Sequence, residues 1–232
     1  MDVKTAFLNG VLEEEIYVEQ PLGYMRTGEE KKVLKLKKSL YRLKQAPRAW
    51  NTRIDTYFKE NGFEQCPFEP ALYVKKNGSN VLLVSLYVDD LIFLGSDVQM
   101  IEDFKSTMRS EFEMTDLGLM RFFLGLEVRQ EEAGIFISQE KYAKEILEKY
   151  KMKNCNPTST PMEPGAKPSK FDGEERVEGS KYRSLVGSLR YLTCTRPYIS
   201  LSVGIVSRFM EEPAHTHWKA LKRILRYIQG TV

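Results

Sequence analysis

Two short apolar runs, Val81-Leu82-Leu83-Val84-Ser85-Leu86 and Leu91-Ile92-Phe93-Leu94, flank Tyr87-Val88-Asp89-Asp90 and restrict this chain more than any other stretch. Each run has strand length, and the polar step between them predicts a hairpin buried on at least one face. Two adjacent carboxylates at the turn of an apolar hairpin are costly, because like charges repel and desolvation favours the neutral acid. A bound dication relieves both problems. Magnesium suits the position, since it takes hard oxygen ligands, commonly one or two carboxylates, and leaves the other places to phosphates and water. A solvated hairpin tip, where aspartate is common, is the other reading of the pair. A third carboxylate would separate the two. Asp2 is a candidate, set among Met1, Val3, Ala6, Phe7 and Leu8, where an unpaired charge is expensive; an exposed terminal aspartate is its alternative.

The hairpin sits in an alternation of helical and extended patterns. Pro47 suits a helix start, and Trp50, Ile54, Tyr57 and Phe58 follow at helical spacing. Ser96 with Gln99 reads as a capping box ahead of Ile101, Phe104, Met108 and Phe112. Phe122 to Val128 and Gly134 to Ile137 read as two strands, and Tyr142, Ala143, Ile146, Leu147 and Tyr150 as a helix. From Asn156 the composition changes: Pro157, Pro161, Pro164, Gly165, Pro168, Gly173 and Gly179 predict a linker over 156–180. Beyond it, three helical stripes follow: Tyr182, Leu185, Val186 and Leu189; Ile199, Val203, Val206 and Met210; Trp218, Leu221, Leu225 and Ile228. The order predicts an α+β fold over 1–155, a linker, and a small helical unit over 181–232.

Composition excludes several classes. With 42% hydrophobic and 29% charged residues, the chain has the balance of a packed soluble protein and not of a disordered or collagenous one. No apolar run approaches the roughly 18 residues of a membrane-spanning helix, and Met1-Asp2-Val3-Lys4 lacks signal-peptide anatomy; an intracellular protein, cytoplasmic or nuclear, with no membrane partner is expected. Cys66, Cys155 and Cys194 are widely spaced and make neither a disulfide framework nor a zinc motif. His215 and His217 are the only histidines, which argues against a histidine triad or histidine-rich zinc site and suits the start of a surface helix. The net charge of +3 names no partner, but its distribution is uneven. Lys31, Lys32, Lys35, Lys37, Lys38, Arg42, Lys44, Arg48 and Arg53 fall in one stretch without an acid, able to face a phosphate backbone or simply to form a solvated face. A second basic run, Lys219, Lys222, Arg223 and Arg226, follows the last acid, Glu212.

The spelling of the segments separates these readings. Met1-Asp2-Val3-Lys4-Thr5-Ala6-Phe7-Leu8-Asn9-Gly10, Leu40-Tyr41-Arg42-Leu43-Lys44-Gln45-Ala46-Pro47-Arg48-Ala49-Trp50 and Tyr87-Val88-Asp89-Asp90 together resemble three motifs of the reverse transcriptases of copia-type retrotransposon polyproteins. Phe122-Phe123-Leu124-Gly125-Leu126-Glu127-Val128, Gly187-Ser188-Leu189-Arg190-Tyr191-Leu192 and His217-Trp218-Lys219-Ala220 extend the resemblance almost end to end. It implies a polymerase palm-like antiparallel sheet with packed helices, then a helical thumb or connection, with the N-terminal fingers segment missing. It makes Asp2, Asp89 and Asp90 the catalytic, metal-binding carboxylates for two Mg2+ (or Mn2+) ions, about 4 Å apart in such centres. The implied reaction is attack of a primer 3′-hydroxyl on the α-phosphate of a dNTP along an RNA or DNA template. Phe7 would exclude a ribose 2′-hydroxyl, Tyr41, Lys44 and Gln45 would line the nucleotide site, and Lys37, Lys38 and Arg48 would contact the nucleic-acid backbone. Phe123, Leu124 and Gly125 would lie near the primer grip.

The resemblance has gaps. Members usually carry glycine where this chain has Arg42, and aspartate where it has Tyr198 after Thr195-Arg196-Pro197. The chain starts one residue before Asp2 and stops before a ribonuclease H region, like an excised middle piece. Two other readings stand beside an active polymerase: an inactive retroelement remnant with at most nucleic-acid binding, and a different metal-dependent phosphoryl-transfer enzyme such as a nuclease.

Overall fold

The computed structural model describes residues 1–170 and 175–232, so Gly173 of the expected linker lies outside the described residues. In chain order the elements are β1 (Asp2–Val3), β2 (Tyr17–Glu19), β3 (Val33–Lys35), α1 (Ala46–Glu60), β4 (Glu64–Gln65), β5 (Leu72–Asn77), β6 (Asn80–Tyr87), β7 (Asp90–Gly95), α2 (Val98–Glu111), β8 (Met114–Thr115), β9 (Phe122–Phe123), β10 (Leu126–Glu131), β11 (Gly134–Ser138), α3 (Glu140–Lys149), α4 (Gly179–Leu192), α5 (Ser200–Ser207) and α6 (His215–Gln229). The fold is mixed α+β with antiparallel sheets. The chain divides into two compact units, Met1–Gly118 and Leu119–Val232.

The first unit is built on an antiparallel sheet of order β4-β5-β6-β7-β1-β8. The expected hairpin is present as β6 and β7, joined by Val88 and Asp89 with Tyr87 paired to Asp90. Period-two alternation sends Leu82, Val84 and Leu86 of β6 and Leu91 of β7 to one face, where they are buried with Tyr73 of β5. The stripes of α1 (Trp50, Ile54, Tyr57, Phe58) and α2 (Phe104, Met108) cover that face and close one core with Phe63 and Phe112. Gly10 permits the close approach of the N-terminal segment to α1: a Cβ there would lie 2.8 Å from the backbone of Ala49 and Trp50. The α2 cap falls one residue later than the capping-box pattern suggests. Asp97, with extended φ/ψ, accepts from the Met100 N–H at 2.8 Å, and the Ser96 hydroxyl instead takes the Val81 N–H at 2.9 Å.

In the second unit, β11-β10-β9 form a small antiparallel sheet and α3 to α6 enclose a separate core. The run 122–128 is two strands and not one, because Leu124 (φ 48°) and Gly125 (φ 81°) make a two-residue hairpin turn between them. The Tyr191 hydroxyl donates to the Leu124 carbonyl and stands where a Cβ on residue 125 would go. Helix α3 buries Ala143, Ile146 and Leu147 among Tyr182, Leu185, Leu189 and Leu225, so it shares a core with the C-terminal helices and the compact division falls at 118/119. A local glycine and proline count cannot see that α3 has its apolar partners further along the chain.

The part of 156–180 within the described residues is tied down at one end by the second basic run. Arg226 Nε donates to the Asn156 carbonyl at 2.7 Å, and Arg223 Nη2 to the Thr160 hydroxyl at 3.1 Å. His217 departs from its expected surface place. It is buried, stacked on Phe209 at 3.9 Å, with Nδ1 accepting from the Ala214 N–H at 2.9 Å and Nε2 lying 3.1 Å from the Ser169 carbonyl. The imidazole thus satisfies an orphan N–H at the start of α6. The three cysteines are free, and no helix among the described residues is long and apolar enough to cross a membrane.

Candidate active site

The two-residue strand β1 inserts between β7 and β8, an arrangement that no local pattern foretells. Asp2 is the register partner of Asp90 on β7 and of Thr115 on β8. Flanking backbone bonds lock this register: Val3 N–H to the Asp89 carbonyl at 2.8 Å, Leu91 N–H to the Met1 carbonyl at 2.8 Å, and the Met1 nitrogen to the Leu91 carbonyl at 2.8 Å. Val3 and Leu91 are buried in the core, so alternation turns Asp2 and Asp90 together to the face away from the helices. Asp89 occupies the adjoining turn. The sheet therefore sets Asp2 opposite Asp90, far away in sequence, and next to the turn that carries Asp89.

Their electrostatics follow from this crowding. The Asp90 carboxyl is pushed above the usual carboxylate range, first by partial burial and then by the negative charges of Asp89 and Asp2. A cation placed among them would reverse both effects, and three hard carboxylate donors suit a magnesium-like ion. Against a preformed cage, no group of three or more His, Cys, Asp or Glu among the described residues is drawn together tightly enough to hold a metal by itself.

The turn itself is unusual. Val88 has φ 55°, in the left-handed region that a β-branched residue adopts only with strain. Its carbonyl oxygen accepts the indole Nε1–H of Trp50 at 2.6 Å. In the sequence Trp50 reads as part of the apolar stripe of α1. Its polar contact to this turn was not legible there, because α1 and the hairpin meet only in space.

The other expected residues are distributed unevenly. Phe7, on a 3-10 turn over Ala6–Asn9, meets Tyr41 edge-on with ring centroids 4.9 Å apart, and its carbonyl accepts the Ser39 hydroxyl. Arg42, one residue on, sits at φ 73°, which explains in physical terms why glycine suits that position. Gln45 precedes α1 and its carbonyl accepts the Ala49 N–H at 3.0 Å. Gln45 and Arg48 line an open groove of about 510 Å³ with Val11, Glu13, Glu14 and Thr52. Arg48 pairs with Glu14 at 2.5 Å, while Lys35 and Arg53 pair with Glu15 and Glu111. Lys37, Lys38 and Lys44 are exposed and make no ion pair among the described residues.

Comparisons with known proteins identify the family. The family described as "Reverse transcriptase (RNA-dependent DNA polymerase)" matches residues 1–164. The retrovirus-related Pol polyprotein from transposon TNT 1-94 of Nicotiana tabacum is 44% identical, with an alignment covering 100% of this chain and 18% of that protein. The retrovirus-related Pol polyprotein from transposon RE1 of Arabidopsis thaliana is 37% identical over 100% of this chain and 16% of its own length. A transposon Ty5-1 protein of Saccharomyces cerevisiae is 33% identical over 100% of this chain and 76% of its own. The chain thus spans less than a fifth of the two plant polyproteins. No solved structure matches it significantly. The full-length alignments and the family match over most of the chain make this protein a member of the reverse transcriptase family carried in retrotransposon Pol polyproteins.

Proposed function

We propose that this chain carries the nucleotidyl-transfer centre of an RNA-directed DNA polymerase, with Asp2, Asp89 and Asp90 as the ligands for two Mg2+ or Mn2+ ions. The observation that carries the reading is the β1–β7 register, which sets Asp2 opposite Asp90 beside the Asp89 turn. When bound, the ions would lower the barrier to attack of the primer 3′-hydroxyl on the dNTP α-phosphate by stabilising the attacking and leaving oxygens. The aspartates hold and orient that charge. Asp90, whose carboxyl resists ionisation without a cation, gains most from its arrival.

In this reading Phe7, steadied by Tyr41 and by the Ser39 hydroxyl on its carbonyl, fills the space of a ribose 2′-hydroxyl and selects deoxynucleotides. Tyr41, Lys44 and Gln45 face the nucleotide. Lys37 and Lys38, without acidic partners among the described residues, take template-primer phosphates. Arg48 does so only by exchanging Glu14 for a phosphate. The first unit corresponds to a palm and the C-terminal helices to a thumb or connection. The site of action is intracellular.

Primer extension on an RNA template with Mg2+ tests the reading. Extension by the wild-type chain that disappears in Asp89→Asn supports it. Absence of extension with either Mg2+ or Mn2+, together with salt-dependent template binding, favours the second reading, a nucleic-acid-binding remnant. That second reading draws on the lack of a tight three-carboxylate cluster among the described residues.

A further inference from the structure

The Val88–Asp89 turn is held by one side chain from outside the sheet. Trp50 is 2% exposed and its ring stands edge-on to Phe112 at 5.5 Å. The tight packing of Gly10 on the Ala49 and Trp50 backbone fixes the base of the same residue. From this rigid post the indole Nε1–H reaches the carbonyl of the strained residue itself, Val88, at 2.6 Å. Residues in sparsely populated backbone regions persist only where their surroundings over-determine them. Here the surroundings are the Trp50 bond on one side and the Val3 N–H bond to the Asp89 carbonyl, 2.8 Å, on the other.

We propose that Trp50 is a positioning residue whose indole N–H clamps Val88 in its left-handed conformation and so aims the Asp89 and Asp90 carboxylates that follow it. The aiming rests on the cation-binding reading of those aspartates; the clamp itself does not. A buried indole needs some hydrogen-bond acceptor, so the bond alone is compatible with simple satisfaction of a core residue. What distinguishes a clamp is energetic coupling between the donor and the strain at residue 88.

The experiment is a double-mutant cycle on the full chain with Trp50→Phe, Val88→Gly and the pair. Amide exchange at Val3 and Leu91 and Mn2+ affinity by water-proton relaxation are read beside the melting temperature. Trp50→Phe keeps an aromatic ring against Phe112 but removes the donor. It is expected to speed Val3 exchange about tenfold and to weaken Mn2+ binding about fivefold, with α2 exchange unchanged. In the Val88→Gly background the same change is expected to shrink below about twofold, since glycine holds positive φ without the clamp. Equal effects in both backgrounds, or unchanged Val3 exchange in Trp50→Phe, overturn the proposal. Should Trp50→Phe fail to fold, the double variant decides: folding restored in the Val88→Gly background, with Val3 exchange close to that of Val88→Gly alone, supports the clamp, and failure to fold there as well overturns it. Absence of Mn2+ binding in the wild type would sink the cation reading while the exchange cycle still tests the clamp.

Discussion

Replacing Asp90 with asparagine should stabilise the metal-free protein. Asp90 is partly buried, with Asp2 opposite it in the ladder and Asp89 beside it, and these three features raise its proton affinity. A like-charged pair directly opposite in an antiparallel ladder costs on the order of 0.2–1 kcal/mol. Removing one charge from this trio, offset in part by the attraction it gives up to the nearby Met1 ammonium, therefore gains at most about 1 kcal/mol, a Tm increase of up to about 2–4 °C for a chain of this size. The folded Asp90 carboxyl holds its proton to higher pH than the unfolded one. The wild type is therefore free of the penalty below the unfolded carboxylate value of about 3.9, and carries it in full once the pH has passed the folded value. The stability gap between variant and wild type should be widest near neutrality and close as the pH falls through the carboxylate range. Saturating Mg2+ should reverse the order, raising the Tm of the wild type more than that of the variant. Scanning calorimetry in EDTA and then in Mg2+, across that pH range, reads all of this. An Asp90→Asn protein that melts below the wild type in EDTA, or a gap indifferent to pH, would refute the crowding argument.

Other outcomes follow from single features. Gly10→Ala should destabilise the first unit by about 1–3 kcal/mol in a urea titration, because the new methyl meets the backbone of Ala49 and Trp50, which cannot move aside as a side-chain end would. Arg42→Gly should raise stability by about 1 kcal/mol by relieving the left-handed strain, and in the polymerase reading should improve dNTP affinity by clearing a long cation from the nucleotide approach. Lys37→Ala and Lys38→Ala should each lower the slope of log affinity against log salt by about 0.7 for a single-stranded template. Arg48→Ala should change that slope less, because Glu14 already neutralises it, and Glu14→Gln should strengthen binding in a fluorescence anisotropy titration.

The parts of the fold written in local periodicity could be read from the sequence. The β6–β7 hairpin and the stripe of α1 needed only alternation and helical spacing, and both lie where those patterns put them. Elements fixed by distant partners were opaque. β1 is two residues long and exists because β7 and β8 offer backbone groups to pair with. β5 ends in Lys75-Lys76-Asn77, too polar to suggest a strand of the main sheet, yet Tyr73 on it is fully buried. The Gly125 break in 122–128 carried a readable sign, since an isolated glycine in a strand pattern marks a bend. His217 was not legible, because burial depended on Phe209 and Ser169 arriving from elsewhere in the chain. At the site, charge cost marks the tandem aspartates and Asp2 only as candidates beside a solvated-turn or exposed-terminus reading, the resemblance gives the three a common role, and the Trp50 bond is visible only in the structure.

The central claim is that Asp2 shares cations with Asp89 and Asp90. Crystals of the protein soaked in Mn2+ and measured at the manganese absorption edge test it directly. The expected result is anomalous density within ligand distance of Asp2 and of at least one of the tandem pair, lost in crystals of Asp2→Asn. Density bound only to the hairpin turn, unchanged in that variant, would contradict it.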